Sequence, residues 1–78
     1  MPKYPVKAYV LAIVERGTEH KVTQKILKIE DVTEVLVTYG MWDLIARIET
    51  ESLEKLDTII SNIRQLPEIE STNTLIGT

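Results

Sequence analysis

Cysteine is absent from the 78 residues and histidine occurs once. That excludes disulfide staples, thiolate metal sites and the usual zinc tetrad, so neither a metal nor a cofactor is expected. Phenylalanine is absent as well, and aromatic residues make up only 5% of the chain. A sheet that reads single-stranded RNA by stacking bases on aromatics has little to work with here. No apolar run approaches the roughly 20 residues of a membrane span, and Met1-Pro2-Lys3-Tyr4-Pro5 opens the chain without a long signal-like core. A cytoplasmic protein without membrane contact is expected. Positive charge is in short supply: Lys and Arg total 9 against 12 Asp and Glu, leaving a net charge of -3. Nothing draws such a chain toward a phosphate backbone at long range, and direct DNA binding is not expected.

What is present suits an ordinary globular protein, with 44% hydrophobic and 27% charged residues. The length has room for one domain over residues 1–78. A domain of this size buries only about 60% of the surface its unfolded chain exposes. With staples excluded, self-association is the expected source of further burial.

From Val6 to Glu15 the run VKAYVLAIVE is apolar in both alternating sets, Val6, Ala8, Val10, Ala12, Val14 and Tyr9, Leu11, Ile13. This predicts a central strand covered on both faces. Arg16-Gly17 ends it, and Thr18 with Glu19 offers an N-cap and a first-turn acid for a helix. Val22, Ile26 and Ile29 then share one helical stripe, which predicts a helix to about Glu30. Val32 to Tyr39 is rich in β-branched residues and reads as a second strand, stopped by Gly40. Asp43 to Glu49 alternates Leu44, Ala46 and Ile48 with mostly polar positions and reads as a third, joined to the second by the short Gly40-Met41-Trp42 link. Thr50 or Ser52 caps a second helix carrying Leu53, Leu56, Ile60 and Ile63, which Pro67 closes. Ile69 to Ile76 supplies the last strand. The helix exits of the two halves also look alike, Ile29-Glu30-Asp31-Val32-Thr33 against Leu66-Pro67-Glu68-Ile69-Glu70.

Strand-helix-strand, turn, strand-helix-strand predicts an α+β fold, a ferredoxin-like βαββαβ sandwich. Its four-stranded antiparallel sheet has strands one and three in the middle and both helices on one face. The other sheet face stays open. The two-sided apolarity of the first strand then calls for a second copy over it, as an isologous dimer packed sheet against sheet or edge to edge.

This superfold hosts many activities, so function must be read from residues. A heavy-metal carrier needs a Cys-x-x-Cys loop after the first strand, where Arg16-Gly17-Thr18-Glu19-His20 stands. An acylphosphatase cradle needs more than one Arg16-Gly17. His20 reads as an exposed helix-start residue. Trp42 either stacks on a ligand or partner subunit or shields the turn with its ring. In Thr38-Tyr39-Gly40-Met41-Trp42-Asp43-Leu44-Ile45, the glycine permits positive φ or close backbone approach. The aspartate three residues later either caps the turn or receives a ligand ammonium.

The element order, the Thr-x-Gly-x-x-Asp-Leu run at Thr38, Gly40, Asp43 and Leu44, and the late Thr72-x-Thr74 strand resemble the effector (RAM) domain of Lrp/AsnC transcription regulators. The resemblance covers nearly the whole chain, and an aromatic before the aspartate, frequent in that family, is Trp42 here. The helix-turn-helix domain of full-length members has no counterpart, so the chain is expected to be a stand-alone form. The resemblance implies amino-acid binding between dimers, assembly of dimers into rings such as octamers, and mixing with full-length Lrp/AsnC regulators. It implies a ligand set of Tyr39, Gly40, Met41, Trp42, Asp43, Thr72 and Thr74. Backbone N–H groups of Gly40 to Trp42 would hold the carboxylate, with Asp43 and the two threonine hydroxyls for the ammonium or for shaping the loop. The expected function is a non-enzymatic module that takes an amino acid or similar small effector and regulates transcription through assembly or partner binding. Two alternatives stay open: a cofactor-free, monooxygenase-like dimeric enzyme, which the almost wholly aliphatic inward stripes disfavour, and a purely structural adaptor.

Overall fold

A computed structural model describes residues 6–77; the expectation about the chain start at Met1–Pro5 lies outside these. The elements run β1 (Val6–Val14), α1 (Glu19–Leu27), β2 (Val32–Val37), β3 (Leu44–Thr50), α2 (Leu53–Arg64) and β4 (Ile69–Ile76). All strands pair antiparallel in the order β2-β3-β1-β4, so strands one and three are central, as the ferredoxin-like reading requires.

Strand alternation sorts the sheet into two faces. Ala8, Val10, Ala12 and Val14 of β1 and Leu44, Ala46 and Ile48 of β3 are buried with Val22 and Ile26 of α1 and Leu56, Ile59 and Ile63 of α2. Each larger aliphatic side chain buried in this way contributes roughly 1.5–3 kcal/mol by leaving water. The opposite set, Tyr9, Leu11 and Ile13 with Ile45, faces away from the helices and remains half-exposed or exposed. Leu36 and Leu75 join it across the register at 51% and 52% exposure.

Several boundaries differ from the sequence reading. Helix α1 ends at Leu27 rather than near Glu30, because Lys28 and Ile29 bond back to Lys25 and Ile26, three residues earlier. These tight turns use up the last carbonyls, and Asp31 follows at φ 71, where no helix continues. Thr18 occupies the N-cap position, but its hydroxyl donates to the Glu15 carbonyl at 2.6 Å instead of capping α1. Ser52, not Thr50, caps α2, accepting from the Lys55 N–H at 3.1 Å. Thr50 is fully buried and donates to the Asp31 carboxylate at 2.9 Å. Strand β1 stops at Val14, β2 at Val37 and β3 begins at Leu44, each trimmed at the end nearest the Gly40 loop.

The two halves are bolted together by matching devices. Lys25 of α1 donates to both carboxylate oxygens of Glu68, at 2.9 and 3.2 Å, just before β4. Lys55 of α2 lies 3.7 Å from the Asp31 carboxylate, just before β2. The Glu68 carbonyl accepts from Glu15 N–H at the end of β1, and the Asp31 carbonyl from Glu49 N–H near the end of β3. The register slips once in each half, passing over Thr33 in β2 and Glu70 in β4. Both bulges fall on the second residue of an outer strand.

Candidate functional site

The loop between β2 and β3 is closed at its base by Thr38, whose N–H donates to the Asp43 carbonyl at 2.9 Å. The Thr38 hydroxyl donates to the Trp42 carbonyl at 2.6 Å. Thr38 thus holds both carbonyls of the returning arm, and Tyr39 to Trp42 form the tip. Gly40 sits at φ 122, outside the region open to ordinary side chains. An added Cβ there would meet nothing within 4 Å. Glycine is therefore required by backbone conformation and not by crowding, which settles one of its two possible roles.

Asp43 is anchored twice to β1. Its N–H donates to the Ala12 carbonyl at 2.9 Å, and its carboxylate accepts from the Val14 N–H at 3.0 Å. Because the paired part of β3 begins at Leu44, Val14 lies beyond the last ladder partner on that side, and an inner-strand N–H left bare is costly. The aspartate side chain supplies the missing acceptor. This is a cap, but of the neighbouring strand and not of its own turn.

The tip presents Tyr39 at full exposure and Met41 at 81%, while Trp42 is half-buried. His20 is exposed. Thr72 and Thr74 lie on β4, opposite Ala12 and Val10, and are half-buried on the helix side of the sheet. Between the loop's strand and theirs runs the whole of β1. With adjacent strands about 4.8 Å apart, Thr72 stands about 10 Å from the level of Leu44. One chain therefore gathers Tyr39 to Asp43 into a single loop but does not bring Thr72 and Thr74 to it.

Thr72 instead lines a cavity of about 350 Å³ with Arg64, Ile69, Glu70 and Ser71, between the end of α2 and the outer edge of β4. None of the other four residues stands out in the sequence as a site residue. Nor does Glu68, which is 7% exposed and has Lys21 at 3.4 Å besides Lys25. The hydrogen bond from Lys25 and that from its own backbone N–H hold its carboxyl below the usual value of 4.5, against the opposing effect of burial.

Comparison with known proteins places this geometry among relatives. The family model described as "Lrp/AsnC ligand binding domain" matches residues 7–77. The HTH-type transcriptional regulator FL11 of Pyrococcus abyssi is 32% identical over 73 residues, a stretch covering 94% of this chain and 48% of that regulator. The chain thus spans about half the length of the regulator it matches. Among solved structures, FFRP-DM1 superposes with a TM-score of 0.89 at 40% identity, covering 94% of this chain and 99% of the other. AsnC of E. coli superposes with a TM-score of 0.89 at 27% identity, covering 99% of this chain and 55% of the other.

Proposed function

The chain belongs to the Lrp/AsnC ligand binding domain family, and from that premise we propose that it takes an amino acid or a similar small effector at the Gly40 loop and relays its presence through assembly with other copies or with full-length regulators of the same family. The observation that carries this reading is the loop itself. Exposed Tyr39 and Met41 flank a glycine in a conformation few residues adopt, on a base fastened to the central strand β1. A tip of that kind offers free backbone donors for a carboxylate and apolar surface for a side chain, on a rigid support. Tyr39, Gly40, Met41, Trp42 and Asp43 form the first half of the proposed site. Thr72 and Thr74 belong to the second half, contributed by another subunit, since β1 separates them from the loop within one chain.

Assembly begins at the open sheet face, where a second copy covers Tyr9, Leu11, Ile13 and Ile45. Dimers then join into an even-numbered ring, octameric in the fullest form, through the loop tips. The module works in the cytoplasm, without catalysis and without touching DNA itself; its relative FL11 is an HTH-type transcriptional regulator. No helix among the described residues is long and apolar enough to cross a membrane. Calorimetric titration with each standard amino acid, followed by light scattering with and without the best binder, tests the reading. Heat from at least one amino acid and a change in assembly are expected. Silence from all of them, in a folded protein, overturns the effector part.

A further inference from the structure

We propose that the cavity between α2 and β4 reads the effector's side chain, and that Arg64 and Glu70 together select an amino acid bearing a carboxamide, such as glutamine or asparagine. The inference rests on the effector reading above and adds the chemical class of the ligand and the two residues that choose it.

Arg64 is the last residue of α2 and Glu70 the second of β4, so the two border the turn that joins these elements. That turn is held from several directions. The Gln65 and Leu66 N–H groups donate back to the Ser61 and Ile63 carbonyls, and the Ile69 N–H donates to the Leu66 carbonyl. Between them, the buried Glu68 carboxylate is fastened to Lys25 and the Glu68 carbonyl to the Glu15 N–H. The fold therefore sets the spacing of Arg64 and Glu70 before any ligand arrives.

Glu70 is the residue over which the β4 register slips. Bulges of this kind re-aim a side chain and are frequent beside active sites. Here Glu70 joins Arg64, Ile69, Ser71 and Thr72 around the cavity of about 350 Å³, so two opposite charges border one space. Among the described residues, Arg64 and Glu70 form no ion pair with one another or with any third side chain. Neither side chain makes a hydrogen bond among those residues. A guanidinium and a carboxylate are thus left with their bonding capacity for whatever enters.

The charges decide between ligands. A glutamate side chain meets Arg64 but sets a second carboxylate beside Glu70, and a lysine side chain meets Glu70 but sets an ammonium beside Arg64. Leucine leaves both charges without partners once a neighbouring subunit shuts water out, which is costly. A carboxamide carries one carbonyl acceptor and one NH₂ donor, so its oxygen accepts from Arg64 while its nitrogen donates to Glu70. One neutral group then satisfies both charges. If the zwitterionic end shared by all amino acids occupied the cavity instead, the two residues would not choose among side chains.

Calorimetry with glutamine, asparagine, glutamate, lysine and leucine, on the parent and on Arg64→Gln and Glu70→Gln, tests this. Both residues are exposed, so the variants should melt like the parent. Glutamine or asparagine should bind the parent at least about tenfold tighter than the other three, the scale of one hydrogen bond to a charged group. Relative to glutamine, glutamate should gain about tenfold in Glu70→Gln, and lysine about tenfold in Arg64→Gln. A parent that prefers glutamate, lysine or leucine, or an order of affinities that either variant leaves unchanged, overturns the carboxamide assignment and leaves the effector reading standing. No heat from any standard amino acid overturns both.

Discussion

The carboxylate of Asp43 and the backbone N–H of Val14 are joined at 3.0 Å, so a residue of the loop base completes the hydrogen bonding of the central strand. Asp43→Ala removes that acceptor and should cost about 0.5–2 kcal/mol, the range of a lost side-chain cap. Asp43→Asn keeps an acceptor oxygen and should recover most of the loss in urea unfolding. Effector binding separates the two roles. If the charge also meets a ligand ammonium, Asp43→Asn should weaken affinity by about 1.5–3 kcal/mol in calorimetry with stability nearly unchanged. Equal affinity in a folded Asp43→Asn protein confines the residue to holding β1.

Gly40 should resist substitution although there is space around it. Alanine at φ 122 is strained by about 1–3 kcal/mol, while an added Cβ meets nothing within 4 Å. Gly17, at φ 87, lies nearer the left-handed region that asparagine tolerates. Gly17→Asn should therefore destabilise less than Gly40→Asn in paired denaturant titrations; the reverse order would show that the loop relaxes freely.

Glu68 should contribute to the loss of stability in acid. Its carboxyl is held below 4.5 by Lys25 first, then by its own backbone N–H and Lys21. A folded value below the unfolded one means that the contribution is fully present above the usual glutamate value and is lost as pH falls through the lowered folded value. Thermal melts of the parent should thus fall off below about pH 4.5. Glu68→Gln should melt lower at neutral pH and lose less on acidification. Parallel curves for the two proteins would remove Glu68 as the cause.

Thr50 and Asp31 provide a check at the opposite end of the sheet. Thr50→Val keeps the shape of a fully buried side chain but withdraws the donor 2.9 Å from the Asp31 carboxylate. A loss of roughly 1–3 kcal/mol is expected, as for other buried groups deprived of a partner. No change would mean that Lys55, at 3.7 Å, satisfies Asp31 by itself.

The features legible in the sequence are those written in local pattern. Alternation along Val6–Val14 and Leu44–Thr50 marks the central strands, and the stripe at Leu56 and Ile63 marks α2. The glycine at position 40 and the aspartate at 43 mark the loop. What escaped depends on separation. Lys25 and Glu68 are 43 positions apart, and Val14 and Asp43 are 29 apart. No spacing rule joins such residues before the sheet order is known. The matching helix exits at Asp31 and Glu68 are a visible clue, since residues in equivalent turns of a repeated unit tend to meet equivalent partners. Thr18 misleads because a hydroxyl beside a turn can bond backward to a carbonyl as readily as forward to an N–H. The placement of Thr72 and Thr74 away from the loop follows from the strand order expected for this fold, which sets β1 between β3 and β4; grouping the two threonines with the loop rests on the family resemblance instead.

The bolts between halves also bear on how the chain must fold. Strand β1 pairs with β3 and β4, both from the second half, and with neither strand nor helix of its own half in the sheet ladder. Lys25 waits for the Glu68 carboxylate and Asp31 for the Lys55 ammonium, both from the second half. A nascent chain that has emerged only as far as Gly40 therefore has no sheet to join, whatever helix it forms. The loop from Tyr39 to Trp42 joins the half that holds β1 to the half that encloses it, so the sheet forms only through contacts distant in sequence, the kind whose closure slows folding more than helix winding does.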